Sequence, residues 1–204
     1  MKKLFLSSSF AEVAGIFAAF EKSLSGKTVT FIPTASKAEK VVFYVKAGRR
    51  ALEKMGLVVE ELDISTAHIA EAAAKIKNND FIYVTGGNTF FLLQELKRTG
   101  ADRLIVEAVN AGKTYVGESA GAMVAAPGIE YAKAMDSAQK APALQDFTAL
   151  GLVSFYTLPH YTNPPFAKIA HKIVEAYSPA LQIMPISNHE AILVEGGEVQ
   201  VKNN

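Results

Sequence analysis

Short apolar runs of strand type alternate with longer stretches of helical spacing through most of the chain. The runs are Lys3–Leu6, Thr28–Pro33, Leu57–Leu62, Asp80–Val84 and Thr114–Val116. The helical stretches are Phe10–Leu24, Glu39–Met55, Ile69–Lys77, Thr89–Arg98 and Ala101–Asn110. After its first residue, Asp80–Val84 (DFIYV) has no charged member, as expected of a strand covered on both faces. A β-α-β-α order of this kind predicts a mostly parallel sheet with helices on both sides, a three-layer α/β/α domain. Such sheets bind ligands at the carboxyl ends of their strands. Residues that directly follow a strand therefore carry the most functional information.

The second half is less regular. A helix is expected from the turn at Gly117–Gly121 up to Ala126. Pro127–Gly151 has weak periodicity and reads as a long loop with one short helix. Long loops in compact domains are more often functional than accidental. Leu152–Leu158 reads as a strand ending at Pro159-His160, and Lys168–Tyr177 as a helix. Leu181–Met184, Ala191–Glu195 and Glu198–Lys202 close the chain as strands, the last two joined at Gly196-Gly197. No linker or internal repeat divides residues 1–204, so a single domain is expected.

Composition excludes several classes. With 21 Lys and Arg against 20 Asp and Glu, the net charge is +1, too weak a field for general nucleic-acid binding. Cysteine is absent, which removes disulfides, cysteine-based metal sites and any thiol nucleophile. Nothing resembles H-E-x-x-H or another metal cluster, so a metal hydrolase is not expected. The N-terminal MKK resembles a leader, but Leu4–Leu6 is too short for its apolar segment. No apolar run approaches the ~20 residues of a membrane helix. A soluble cytoplasmic protein without a membrane partner is expected. Apolar helix faces leave room for a homodimer interface that the sequence does not locate.

Gly117-Glu118-Ser119-Ala120-Gly121 has the G-x-S-x-G form. A serine on a tight strand-to-helix turn has its hydroxyl pushed out at the sheet edge, and the flanking glycines permit the strained backbone. The bland alternative is a glycine turn with a serine cap. Gly86-Gly87-Asn88-Thr89 follows another buried strand. The Gly87 and Ala120 N–H groups could form an oxyanion site; alternatively, Asn88 simply caps the Thr89 helix. A serine needs a base to be nucleophilic at neutral pH. Of four histidines, His68 and His171 lie in helical patterns. His160 sits in LPHYTNPP after a strand and is preferred over His189.

Taken together, GGNTFFLLQEL at Gly86–Leu96, GESAGAMVAAP at Gly117–Pro127, LPHYTN at Leu158–Asn163 and SNHEAILVEGG at Ser187–Gly197 resemble the peptidase E family of serine peptidases. The resemblance covers nearly the whole chain. It implies a class I glutamine amidotransferase-like (flavodoxin-like) fold and cleavage of small peptides, with N-terminal aspartate preferred and no cofactor. It implies Ser119 as nucleophile, His160 as base, and Gly87 and Ala120 as oxyanion donors. Asn88 and Asn163, inside the matching segments, are candidate substrate contacts.

The group that orients His160 stays open among three residues. Asn188 stands where relatives carry Glu or Asp, Asp136 lies in the long loop, and Glu190 follows Asn188 by two. Strict aspartate specificity is disfavoured, because Pro164–Glu175 offers only Lys168, His171 and Lys172 where relatives have an arginine-containing stretch. Glu118, beside the nucleophile, would add negative charge if it faced the site. Two rival readings remain at this level. One is an α/β-hydrolase esterase using Ser119, Asp136 or Asp146, and His189. The other is a binding protein on the same scaffold without turnover.

Overall fold

A computed structural model covers residues 1–204. Strands β1 (Lys3–Ser7), β2 (Thr28–Ile32), β3 (Val58–Glu61), β4 (Phe81–Val84), β5 (Thr114–Glu118), β8 (Glu190–Glu195) and β9 (Glu198–Asn203) form one sheet in the order β3-β2-β4-β5-β1-β8-β9. The ladders β2·β3, β2·β4, β4·β5 and β1·β5 are parallel. β1·β8 and β8·β9 are antiparallel. The sheet is thus mixed but mostly parallel. β6 (Tyr156–Leu158) and β7 (Ile183–Pro185) make a separate parallel pair.

The continuous apolar run in β4 has the expected cause. Phe81 and Tyr83 join Phe5, Phe10, Phe17 and Phe31 on one side of the sheet, in edge-to-face and stacked pairs 5.0–6.0 Å apart. Ile82 and Val84 join Leu4, Leu6, Ile32 and Tyr115 on the other. Both faces are therefore core, and each buried Phe or Ile stabilises by roughly 1.5–3 kcal/mol. The covering helices are α1 (Ala14–Phe20), α2 (Phe43–Lys54), α3 (Ile69–Asn78), α4 (Thr89–Thr99), α5 (Ala101–Asn110), α6 (Ala120–Met123) and α7 (Ala167–Tyr177). None is long and apolar enough to cross a membrane.

Four expected elements differ, each because a competing hydrogen bond wins. Phe10–Leu24 is not one helix: Phe10–Glu12 forms a 3-10 turn before α1, and the Phe10 N–H donates to the Glu118 carboxylate instead. Glu39–Met55 becomes helical only at Phe43, after a 3-10 turn at Thr34–Ala38 that Ser36 Oγ closes on the Pro33 carbonyl. The helix after Ser119 stops at Met123, not Ala126. The carbonyls of Val124, Ala125 and Ala126 accept from the N–H groups of Leu150, Gly151, Leu152 and Val153. The same bonds keep Leu152 and Val153 out of a ladder, so the expected Leu152–Leu158 strand shrinks to β6. The Pro127–Gly151 loop carries two short 3-10 turns, Glu130–Ala134 and Ala138–Lys140.

Candidate active site

β5 delivers Ser119 to the carboxyl edge of the sheet, between β1 and β4. The Ser119 N–H donates to the Ser7 carbonyl at 2.8 Å. Its backbone sits at φ 49° and ψ −107°, a strained conformation for a non-glycine residue. The chain must turn that sharply because α6 presses on β4. A Cβ on Gly121 would lie 2.2 Å from the Val84 carbonyl oxygen, so nothing larger fits.

The Ser119 Oγ lies 3.0 Å from His160 Nε2, although the two are far apart in sequence. His160 follows β6 with φ 60°, and its N–H donates to Ser8 Oγ at 3.0 Å. Its ring stacks on Phe166 with centroids 5.1 Å apart. Its Nδ1 is 2.7 Å from Asn188 Oδ1. With that amide oxygen facing the ring, Nδ1 carries the hydrogen, and the Nε2 lone pair faces the serine hydroxyl. Asn188 is itself held by its N–H, which donates to Asn163 Oδ1 at 2.8 Å. Burial lowers the His160 pKa below its usual 6.5, and the Asn188 bond only partly offsets this. The imidazole is therefore neutral at pH 7.

Asp136 and Glu190 are not against His160. Asp136 Oδ2 accepts from the N–H and hydroxyl of Thr89, at the first turn of α4. Burial raises its pKa despite those bonds. Glu190 Oε2 accepts from the Ser187 N–H at 2.7 Å, closing the turn around Asn188. A carboxylate in either place serves backbone donors left unpaired by a helix start or a turn. His189, the base of the esterase alternative, is exposed on that same turn. Asn88 is buried: its Oδ1 accepts from the Phe91 N–H at 2.9 Å and its Nδ2 donates to the Ser137 carbonyl. It caps α4 and anchors the long loop. Asn163 likewise serves Asn188.

Gly87 has φ 136°, and a Cβ there would fall 2.2 Å from the Ala35 carbonyl carbon. Neighbouring Gly86 lies against the nucleophile turn: a Cβ on it would be 3.1 Å from Ser119 Cβ. The N–H groups of Gly87 and Ala120 donate to no acceptor within the protein. Glu118 points away from this cleft, into the aromatic layer of the core. Its Oε1 accepts from the Phe10 N–H at 3.0 Å and its Oε2 from the Tyr83 hydroxyl at 2.9 Å. Burial pushes its pKa up to about 7.

Several contributors escaped the sequence reading. Tyr44, at the start of α2, brings its ring edge to 3.5 Å from where a Gly86 Cβ would sit. Its hydroxyl is buried without a partner, and burial with Glu39, Glu118 and Asp136 nearby pushes its pKa up to about 12. Ser8 and Phe166 set the His160 backbone and ring. Ser8 had a signal, since it follows β1 at the same sheet edge. Tyr44 and Phe166 had none. Lys168 and Lys172 are exposed on α7, while Lys140 pairs with Glu39 at 2.7 Å. No group of three or more His, Cys, Asp or Glu is placed to hold a metal ion.

The model for peptidase family S51 matches residues 4–202. An uncharacterized peptidase of Listeria monocytogenes is 61% identical over 202 residues, covering 99% of this chain and 98% of its own. An uncharacterized peptidase of Pasteurella multocida is 55% identical over 204 residues, 100% of this chain and 99% of its own. Peptidase E of Shewanella amazonensis is 40% identical over 147 residues, 67% of this chain and 60% of its own. The crystal structure of a putative peptidase E protein from Listeria monocytogenes superposes with TM-score 0.97 at 60% identity, covering 100% of this chain and 99% of the other. A peptidase from an acI-B1 actinobacterium shares the fold at TM-score 0.70 and 21% identity. The architecture is the class I glutamine amidotransferase-like one, and a family match over nearly the whole length accompanies it. The chain therefore belongs to peptidase family S51.

Proposed function

We propose that this protein is a serine peptidase acting on small peptides, with Ser119 as nucleophile, His160 as base and Asn188 as the group that orients the base. The observation that carries the reading is the relay itself: Ser119 Oγ to His160 Nε2 at 3.0 Å, and His160 Nδ1 to Asn188 Oδ1 at 2.7 Å. In this reading His160 Nε2 takes the hydroxyl proton as Oγ attacks the scissile carbonyl. It then gives that proton to the leaving amine. Water repeats the cycle on the acyl-serine and releases the acid. The Gly87 and Ala120 N–H groups hold the oxyanion, about 3 kcal/mol per donor in comparable sites. Their lack of protein acceptors supports this role.

The long loop supports small substrates. Asp136 and Ser137 tie it to the start of α4, beside the turn that carries Gly87. The charges nearby disfavour an acidic substrate residue. Asp136 and Glu39 lie on this side of the cleft, Lys140 is paired, and the α7 lysines face solvent. Ser119→Ala tests the mechanism against a panel of dipeptides. Hydrolysis is expected to fall to background, and undiminished turnover overturns the assignment. A fluorophosphonate probe is expected to label Ser119 in the folded wild type; a wild type that neither reacts nor hydrolyses is a binding protein instead.

A further inference from the structure

β9 ends the sheet on one side, and all six of its residues are exposed. Its backbone direction follows from its pairing with β8. The Asn204 N–H donates to the His189 carbonyl at 2.9 Å, which extends the β8·β9 register by one hydrogen-bonded pair. Opposed residues in an antiparallel ladder alternate between bonded and non-bonded pairs. Gln200 and Lys202 therefore turn their backbone groups toward β8, while Val199 and Val201 turn theirs toward the open edge. A row of free donors and acceptors of this kind is a template for another strand. The opposite edge of the sheet is different. β3 has only four residues, and the Glu61 carbonyl there already accepts from Lys75 Nζ at 2.8 Å.

The side chains of β9 indicate which strand fits. Glu198-Val199-Gln200-Val201-Lys202 is symmetric about Gln200, except that its end charges are opposite. Laid antiparallel on itself, the segment sets Glu198 opposite Lys202 of a second copy at both ends. Val199 then faces Val201, and Gln200 faces Gln200. The backbone permits the same alignment. Bonded pairs need outward-facing residues on both strands, so odd-numbered residues must oppose odd-numbered ones. Of those registers, only the one centred on Gln200 sets the two charges against each other. Val199 and Val201 then exchange four main-chain hydrogen bonds with Val201 and Val199 of the second copy. The four valines gather on the face that carries Ile192 and Val194, and the charges on the other. Within one chain these groups lack partners. Glu195, opposite Glu198 in the hairpin, has Lys3 at 3.8 Å, whereas Glu198 and Lys202 form no ion pair. Val199 and Val201 are among the few large apolar side chains left exposed. We propose that β9 is a self-association edge, pairing antiparallel with β9 of a second copy about a two-fold axis at Gln200, so that two sheets join into one. The proposal does not depend on the peptidase reading.

One strand per copy is a small contact beside the ~1,200–2,000 Å² of a stable interface, so a reversible dimer is expected, with Kd on the order of 100 µM. Sedimentation equilibrium of the full chain at rising concentration reads it. Glu198→Lys and Lys202→Glu each place like charges opposite one another at both ends, and each is expected to raise Kd about tenfold or more. The two together restore opposite charges and should return Kd to within about threefold of the wild type. Val201→Pro removes an outward N–H but none that serves β8, and should leave a folded monomer. Because the chain has no cysteine, one introduced thiol reports the register. Two Gln200→Cys thiols face each other across the axis, and diamide is expected to couple them at least ~10-fold faster than Lys202→Cys, whose copies lie four residues out of line. All these positions are exposed, so circular dichroism should show each variant folded. A wild type that stays monomeric up to about 1 mM overturns the proposal. So does a dimer that neither single charge reversal weakens, or a double variant no tighter than the single ones. Gln200→Cys coupling no faster than Lys202→Cys overturns it as well.

Discussion

Burial strips the His160 imidazolium of hydration, and a neutral Asn188 brings no charge to replace it. Two consequences can be measured. The form that can accept a proton is the neutral one, and its pKa lies below 6.5. Activity should therefore hold through neutral pH and fall only as pH drops below that value. Asn188→Asp adds a negative charge at 2.7 Å from Nδ1, which favours the protonated ring. The acid limb of kcat/KM is expected to move up by about one pH unit or more, read from a pH–rate profile. Asn188→Ala frees the ring to adopt the wrong tautomer and is expected to cost about 10²-fold or more in kcat. Ser119 and His160 were legible because each directly follows a strand, where the sheet edge lies. Asn188 was only one of three candidates, because side-chain direction on a turn depends on neighbours distant in sequence. Here that neighbour is Asn163, which takes the Asn188 N–H, while Glu190 takes that of Ser187 within the turn itself.

The start of α4 shows how an element can recruit a residue that looks catalytic. Its first N–H groups have no partners within the helix. Asn88 serves one and Asp136 another, and the latter bond docks the Pro127–Gly151 loop. Asp136→Ala is expected to lower stability by about 1–2 kcal/mol in denaturant unfolding, while Asp136→Asn, still able to accept from Thr89, stays near the wild type. Both should retain far more kcat than Asn188→Ala; the reverse ranking would return Asp136 to the relay. The turn between β5 and α6 is less tolerant. A Gly121→Ala methyl would meet the Val84 carbonyl at 2.2 Å, and a loss of about 3 kcal/mol or more is expected. The pattern G-x-S-x-G announced such a turn. It could not announce that α6 would last only four residues, since the loop that takes the carbonyls just after it, of Val124, Ala125 and Ala126, returns from Leu150–Val153.

Three buried groups tilt the stability of the whole molecule with pH, two in one direction and one in the other. Glu118 titrates near 7 when folded and near 4.5 when exposed, so the folded state holds its proton more tightly. That contribution is complete below about 4.5 and is lost as pH rises through about 7, by about 3 kcal/mol at most. Asp136, raised by burial, has the same sign. His160, lowered by burial, has the other: its contribution is present above 6.5 and is lost as pH falls through its folded value. Guanidinium unfolding from pH 5 to pH 8 is expected to show the wild type losing stability toward pH 8. Glu118→Gln should flatten that decline, and an unchanged slope in the variant would refute the assignment of the decline to Glu118.

The amino-acid order alone determined the alternation of strands and helices, the burial of both sheet faces, and the two turns where Ser119 and Gly87 sit. These follow from local periodicity, β-branched and aromatic runs, and glycines, all within reach of a few residues. Only the tertiary structure decided that Asn188 rather than Asp136 or Glu190 meets His160, that Glu118 turns inward, and that Tyr44 borders the cleft. The first two outcomes were settled by which chain-distant donors and acceptors came within hydrogen-bond range once the sheet had closed, and the third by the packing of α2 against the Gly86 turn. Local sequence does not encode such proximity.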